Sequence, residues 1–578
     1  MQIKLSVKII LYILLLTGLF MCPVFLSDLL IEPTLISRFT LLSVVLLGIV
    51  AALLVRQKKG FKLPLYLLVL FGAYYLVHLI SAYWAINKAE AFFESQRVFL
   101  GICITLLTVL IFQSRKERFQ FHFAFMVFGW IAGIACITDL ILRNNTEHSI
   151  FFGHINIMSS FLFCAGLVLL IGFYSLKNSW RKISFRTGVA LLILAVLIQT
   201  RSVLLAMLAF FIMGTGLVMI RNIKRKKIFL FAYLGLGLVA ALILLFFPEI
   251  IPVTPHSLNE RFGLWKNSIA LIQDNPIQGV GAGNWQFNYG KYGVAHLEKT
   301  AFYNINFRRP HNDFLGILTE TGLMGFTIFL CITGVVVIHF IQFIQNRTDK
   351  LVYYLFSGLT GIMVISFFSF PKERILHLAL FSILLGLLLM KLFKKSTVRI
   401  KPKGVLFLLF VGLGFNAIIG TYRIKGEYHT KKAVEAQMRS DGRSAIDEGY
   451  KAISPFYITD PTGTPVYTYI GYGYNQKTIL DSMLYTAEKA YELAPYDYKT
   501  LTNYGYVLQR HYQFKQAEKF YLDAYAINPN YEITLVNLSA LDYNKGNYQK
   551  ALEWLTKIEN YQIKYPDTYQ RLNDHLNN

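Results

Sequence analysis

The sequence is poor in charge. Only 16% of its 578 residues are Asp, Glu, Lys or Arg, against about 25% in a typical soluble protein. That deficit excludes an intrinsically disordered chain, which is highly charged and weakly hydrophobic. Cysteine is scarce too. Cys22, Cys103, Cys136, Cys164 and Cys331 all fall in apolar runs and none lies in the last 240 residues, which excludes a disulfide scaffold. Metal-ligand spacings are missing: there is no H-x-x-x-H or H-E-x-x-H, and His256, His296 and His311 are scattered. No metal and no cofactor is therefore expected. A G-x-S-x-G elbow and a Walker loop are also absent.

What is abundant is hydrophobicity, at 55% of residues with a mean hydropathy of +0.46. Apolar runs near the roughly 20 residues needed to cross a bilayer recur thirteen times, from 8–26 to 404–421. The expected fold class is an all-α, polytopic membrane protein of about thirteen transmembrane helices. The least obvious spans are 185–200 and 202–220, nearly continuous but for Gln199, Thr200, Arg201 and Ser202. A single helix there would be about 51 Å long, far beyond a hydrocarbon core of about 30 Å. Two helices turning at Arg201 are expected instead.

The net charge of +24 invites a nucleic-acid reading, which the distribution removes. Seven clusters, from Lys4 and Lys8 to the group 391–403, fall after alternate spans. They hold 26 basic residues against Glu117 and Asp349, which accounts for the whole net charge. This is the positive-inside pattern, and no nucleic-acid partner is expected. It places the N-terminus in the cytoplasm, and both the loop 248–316 and the C-terminal tail outside.

The chain thus divides into a membrane domain, 1–421, and an extracytoplasmic helical domain, 422–578. The tail is electrically balanced and holds 23 of the 35 tyrosines. Its second half repeats with a period of 34: Pro495 and Pro529, Ala490 and Ala524, Asn503 and Asn537, Ala517 and Ala551. Such a period resembles tetratricopeptide repeats, over about 483–560. Its tyrosines either pack between helices or form a peptide- or glycan-contacting surface.

The loop 248–316 carries most of the candidate chemistry. Ser257 and Glu260 have capping-box spacing. Phe262, Trp265, Ile269 and Ile272 form an apolar stripe beside Arg261, and Asn275-Pro276 ends the helix. The expected helix lies against the membrane face. "GVGAGNW" follows, with Gly279, Gly281 and Gly283 allowing sharp turns or close backbone approach. In "NFRRPHNDFLGILTETGLMGF", Pro310 favours the first turn of a helix, with His311 and Asn312 near its start. The positive end of the helix dipole disfavours imidazolium there, so His311 is expected to be neutral and able to take a proton. Glu320 is an intramembrane carboxylate, which is either functional or a partner for a buried arginine or for backbone amides. Arg201 either snorkels to lipid headgroups or aims its fork at a phosphate oxygen.

Taken together, Arg261, Trp265, Pro276, Gly279, Gly281, Gly283, His311, Asn312, Glu320, Gly322 and Gly325 resemble the pattern of the O-antigen ligase and polymerase superfamily of bacterial envelope enzymes. "TRS" at 200–202 resembles the family's arginine-bearing element shifted by one place, and Gly153 and Asn156 resemble a looser G-x-x-N element. The likeness covers about residues 60–400. It implies glycosyl transfer on the outer face of the inner membrane from an undecaprenyl-pyrophosphate-linked glycan, without a nucleotide sugar or metal. The acceptor would be lipid A core, another glycan or a protein hydroxyl. His311 would be the catalytic base, with Arg201, Arg261, Asn312, Gly281, Gly283 and Glu320 on the substrate-binding side. The outward tail favours a large acceptor or a protein partner. A transporter and a non-catalytic scaffold are the readings from other classes. The first wants charges or broken helices at several midplanes, and the second leaves the loop glycines without a purpose.

Overall fold

The computed structural model describes residues 7–56, 63–142, 148–219, 256–347, 349–394 and 402–577. It is all-α, with only isolated β-bridges in the tail and no strand among the described residues. Ten of the described helices are long and apolar enough to cross a membrane. Asn178–Leu197 and Arg201–Met219 occupy the two short expected spans and are separated by a turn in which Gln199 has a φ of 58°. The expected break near Arg201 is therefore present. Twelve of the thirteen expected spans coincide with helices, and the run 228–247 lies outside the described residues.

Connections that the charge pattern assigns to one side do meet at one end of the bundle. Ser81 accepts a hydrogen bond from the Ala282 amide (2.9 Å), and Asn87 is joined to Asn284 through the Asn87 amide (2.7 Å). Glu32 pairs with Arg308 and Arg374 there. At the opposite end Lys8 meets Glu117 and Lys391 meets Asp349, both at 2.8 Å.

The boundary expected at 421 falls inside a helix. Pro402–Met438 is 37 residues long, about 55 Å at 1.5 Å per residue, so it crosses a bilayer and continues about 25 Å beyond it. Leu406, Leu409, Leu413, Asn416, Ile419, Arg423, Glu427 and Thr430 line its buried face at helical spacing. The result is a stiff stem for the tail.

In the tail, helices begin at Leu480, Phe514 and Tyr548, and their partners at Tyr498, Glu532 and Pro566. Each set is spaced by 34 residues, as the sequence is. Ala490, Ala517, Ala524 and Ala551 are buried where helices cross, and Tyr521 fills the space between them. Tyr491 and Tyr504 both pack on Phe520, so these tyrosines hold the helices together.

The tail is not a free arm. Tyr498, Leu501, Ala524 and Ile527 complete one hydrophobic core with Leu264, Leu271, Trp285, Tyr289 and Leu297 of the loop. The Val294 amide donates to the Ile527 carbonyl (2.9 Å), and the Lys499 ammonium to the Asn304 carbonyl (2.7 Å).

Candidate functional site

The loop opens with the helix His256–Asp274, which stops where Asn275-Pro276 requires. The Ser257 side chain lies outside the described residues. Glu260 does not reach back to the helix start; it accepts the Lys299 amide at 2.8 Å. Leu264, Asn267, Ser268 and Leu271 face the loop core, while Phe262 and Ile269 are 60% and 50% exposed on the other side. Trp265 lies between these faces. Its indole N–H donates to the Pro310 carbonyl at 2.9 Å, which ties the helix to the segment before His311.

The glycines form a clip. Gly322 breaks the helix Asp313–Asn346 with a φ of 60°, and residues 276–281 fit into the break. Val280 and Gly281 amides donate to Thr319 and Glu320 carbonyls (2.9 Å each), and Leu323 and Met324 amides return to Pro276 and Ile277 (2.9 and 3.1 Å). A Cβ on Gly279 would stand 2.5 Å from the Glu320 carbonyl, and one on Gly281 would stand 2.6 Å from Ala85. One on Gly283 would stand 3.0 Å from the Glu90 carbonyl oxygen, a looser but still tight approach. Gly281 and Gly283 thus face protein, not an open cavity.

Pro310 is not in the first turn. The helix begins at Asp313, and Asn312 is its N-cap, accepting Phe314 and Leu315 amides at 3.0 Å each. His311 precedes the cap in a left-handed conformation, φ 55°, which costs a non-glycine residue on the order of 1–3 kcal/mol. Its ring is held edge-on between Phe370 and Phe307, with centroids at 4.9 and 5.9 Å. Burial first, and then the charges of Arg261, His154, Lys299 and Arg374, push its pKa down to about 3. The ring is neutral, as expected from sequence, but burial and positive neighbours are the main causes.

Those neighbours come from distant segments. His154 caps the helix Ile155–Gly172. Asn156 beside it accepts the Thr200 hydroxyl at 3.1 Å, which draws the two looser motif elements together. Arg201 follows, close enough that its charge acts with burial to lower the pKa of Arg261. No carboxylate pairs with Arg261 among the described residues.

The other side of His311 is different. A cavity of about 180 Å³ is lined by His311, Phe307, Phe370, Glu32, Arg308 and Arg374 among others. Each charge there is matched. Arg308 and Arg374 share Glu32, whose pKa burial would raise but the two guanidiniums hold at about 2. Arg309, 7% exposed, meets Glu373, Glu320 (3.3 Å) and Glu94 (3.4 Å). Glu320 is therefore the partner of a buried arginine, the second of its two expected roles. On the far side of this ion network, Phe71, Phe314, Ile317, Phe329 and Phe381 line an apolar cavity of about 440 Å³ with Arg97 and Lys372 at its rim.

Sequence reading passed over Arg308, Arg309, Glu32, Glu373 and Arg374. Their signal is position: each charge sits at the edge of an apolar run, and Arg308-Arg309 immediately precede Pro310-His311.

These features define a multi-pass helical membrane protein with a histidine and an arginine pair gathered at one end of the bundle. Residues 187–330, the stretch carrying Arg201, Arg261, the glycines and His311, match the family model described as O-antigen ligase. The match supports a likeness to the O-antigen ligase superfamily over those residues, about a quarter of the chain. A protein of Haemophilus influenzae (strain ATCC 51907 / DSM 11121 / KW20 / Rd), described as an uncharacterized protein, is 30% identical over 87 residues, which is 15% of this chain and 21% of the relative. The chain thus spans about a fifth of the length of the curated relative it matches.

Proposed function

We propose that this protein transfers a glycan from an undecaprenyl-pyrophosphate-linked donor to an acceptor hydroxyl, as an O-antigen ligase does, on the outer face of the bacterial inner membrane. The observation that carries the reading is the setting of Arg261: it feels the charge of another arginine, Arg201, it has no carboxylate partner among the described residues, and the next residue, Phe262, is an exposed apolar side chain. A guanidinium pair at an apolar surface suits a pyrophosphate on a lipid chain. In the step, the acceptor hydroxyl gives its proton to neutral His311 while its oxygen bonds to the anomeric carbon. The bond from that carbon to the pyrophosphate oxygen breaks with its electron pair. The leaving group gains one negative charge, which Arg261 and Arg201 stabilise.

A pKa of about 3, set by burial and by the positive groups around the ring, makes His311 a weak base. Donor phosphates beside Arg261 would oppose the positive charges acting on the ring and raise its pKa toward the range useful for catalysis. Asn312 fixes the helix start that presents the ring, and Glu320 fixes Arg309 behind it. The tail, read as tetratricopeptide-like repeats, serves the acceptor or a protein partner. Ligation to lipid A core, polymerisation and transfer to protein hydroxyls share this chemistry, and ligation is the reading adopted. The test is the envelope of a deletion strain. It should accumulate unligated polymer on its lipid carrier, corrected by the wild-type gene and not by Arg261→Ala. A normal envelope would sink the proposal, and unglycosylated protein or short glycan chains would move it to the other acceptors.

A further inference from the structure

We infer that the acceptor is a sugar bound in a cleft between the loop and the helical tail, running from His311 past Phe307 to Gln286. This rests on the transfer reading above and adds where the acceptor sits. The cavity beside His311 adjoins a second, smaller one, and both are walled by Asn306 and Phe307. The smaller cavity lies where Gln286 and Tyr289 of the loop meet Tyr496 and Asp497 of the tail.

Four observations point to a sugar. The side-chain oxygen of Gln286 is buried and accepts no hydrogen bond among the described residues, a condition that costs stability until a donor arrives. Gly463, with a φ of 89°, faces this oxygen, and a Cβ there would lie 3.5 Å from it. The volumes divide sensibly. At roughly 10–15 Å³ per water-sized group, the smaller cavity of about 30 Å³ takes two hydroxyls, while about 180 Å³ takes a sugar ring. Finally, the charges beside the larger cavity are paired, Glu32 with Arg308 and Arg374. They offer donors and acceptors with little net charge, which suits a polyol and leaves the pyrophosphate to Arg261 on the other side of His311. Phe307 and Phe370, which line the larger cavity, supply apolar faces against which a sugar ring packs.

The test uses the full chain in lipid nanodiscs, with free glucose, galactose and N-acetylglucosamine as acceptor probes by saturation-transfer NMR and undecaprenyl pyrophosphate as the donor probe. Gln286→Leu should weaken sugar binding about three- to tenfold, the size of one hydrogen bond. Undecaprenyl pyrophosphate binding and the melting temperature should stay at or above wild type, because the leucine removes an unsatisfied buried oxygen. Arg261→Ala should do the reverse, weakening only the lipid pyrophosphate. The inference is overturned if no sugar binds the wild type, if Gln286→Leu leaves sugar binding unchanged, or if it weakens the lipid as much as Arg261→Ala does. Failure of the wild type to bind undecaprenyl pyrophosphate would instead overturn the transfer reading itself.

Discussion

Replacing Gly322 with alanine separates structural glycines from substrate-binding ones. The new Cβ would stand 2.2 Å from the Ile277 carbonyl oxygen and 2.7 Å from the Gln278 amide, both backbone atoms that cannot rotate away. Alanine would also have to keep a φ of 60°, at about 1–3 kcal/mol. If the clip opens instead, its four hydrogen bonds go, at about 1 kcal/mol each. Either way a loss of about 3 kcal/mol or more is expected, with the loop becoming sensitive to protease and transfer abolished. Gly334 in the same helix has nothing within 4 Å of its Cβ position. Gly334→Ala should be neutral or stabilise by up to about 1 kcal/mol. Gly281→Ala, crowded by Ala85, should behave like Gly322→Ala. Chemical unfolding in mixed micelles reads all three. The reasoning is refuted if Gly322→Ala matches Gly334→Ala, or if Gly281→Ala keeps full stability while losing only donor affinity.

Arg309→Met should cost about 3–5 kcal/mol, because it takes the ion-pair partner from buried Glu320 and leaves Glu94 and Glu373 to Arg97 and Lys372; Glu320→Gln should cost less, since Arg309 keeps two carboxylates, and a reversed order in unfolding experiments would contradict the network. Glu32 has a depressed pKa, so its stabilisation is complete above its ordinary value of 4.5 and fades as pH falls toward 2; Glu32→Gln should flatten acid unfolding across that window, and an unchanged acid profile would count against the pairing. Deleting 498–577 removes Tyr498, Leu501, Ala524 and Ile527 from the loop core, so transfer should be lost altogether; activity retained with altered acceptor choice would show the tail to be an accessory. Arg261→Lys should recover only part of the donor affinity lost in Arg261→Ala, since an ammonium cannot make the bidentate contact; full recovery in a binding assay would deny the fork its role.

The helices were legible because a bilayer demands long apolar runs, and the turn before Arg201 because one helix would have been too long. The end of the loop helix at Asn275 was written in its proline. What escaped was pairing across distance. Nothing local to "NFRRPHN" says that Arg309 will meet Glu94 and Glu373, or that Arg308 will share Glu32 with Arg374. Spacing alone cannot tell a glycine that admits a ligand from one that admits the chain itself, so Gly281 and Gly283 were open to both readings until the clip with Glu320 and the Glu90 backbone was seen. Pro310 misled for a related reason: its carbonyl is engaged by Trp265, 45 residues earlier, and Asn312 takes the capping position. The 34-residue period revealed the tail's helices but not the docking of Tyr498 and Ile527 on the loop.

Turnover of His311→Ala tests the central claim most directly. In the purified full-length protein, supplied with lipid-linked glycan and acceptor, transfer should fall about 10²- to 10⁴-fold, the usual cost of losing a general base, while undecaprenyl pyrophosphate binds as it does to the wild type. Near-normal turnover by His311→Ala, with the protein folded and the donor bound, would contradict the account.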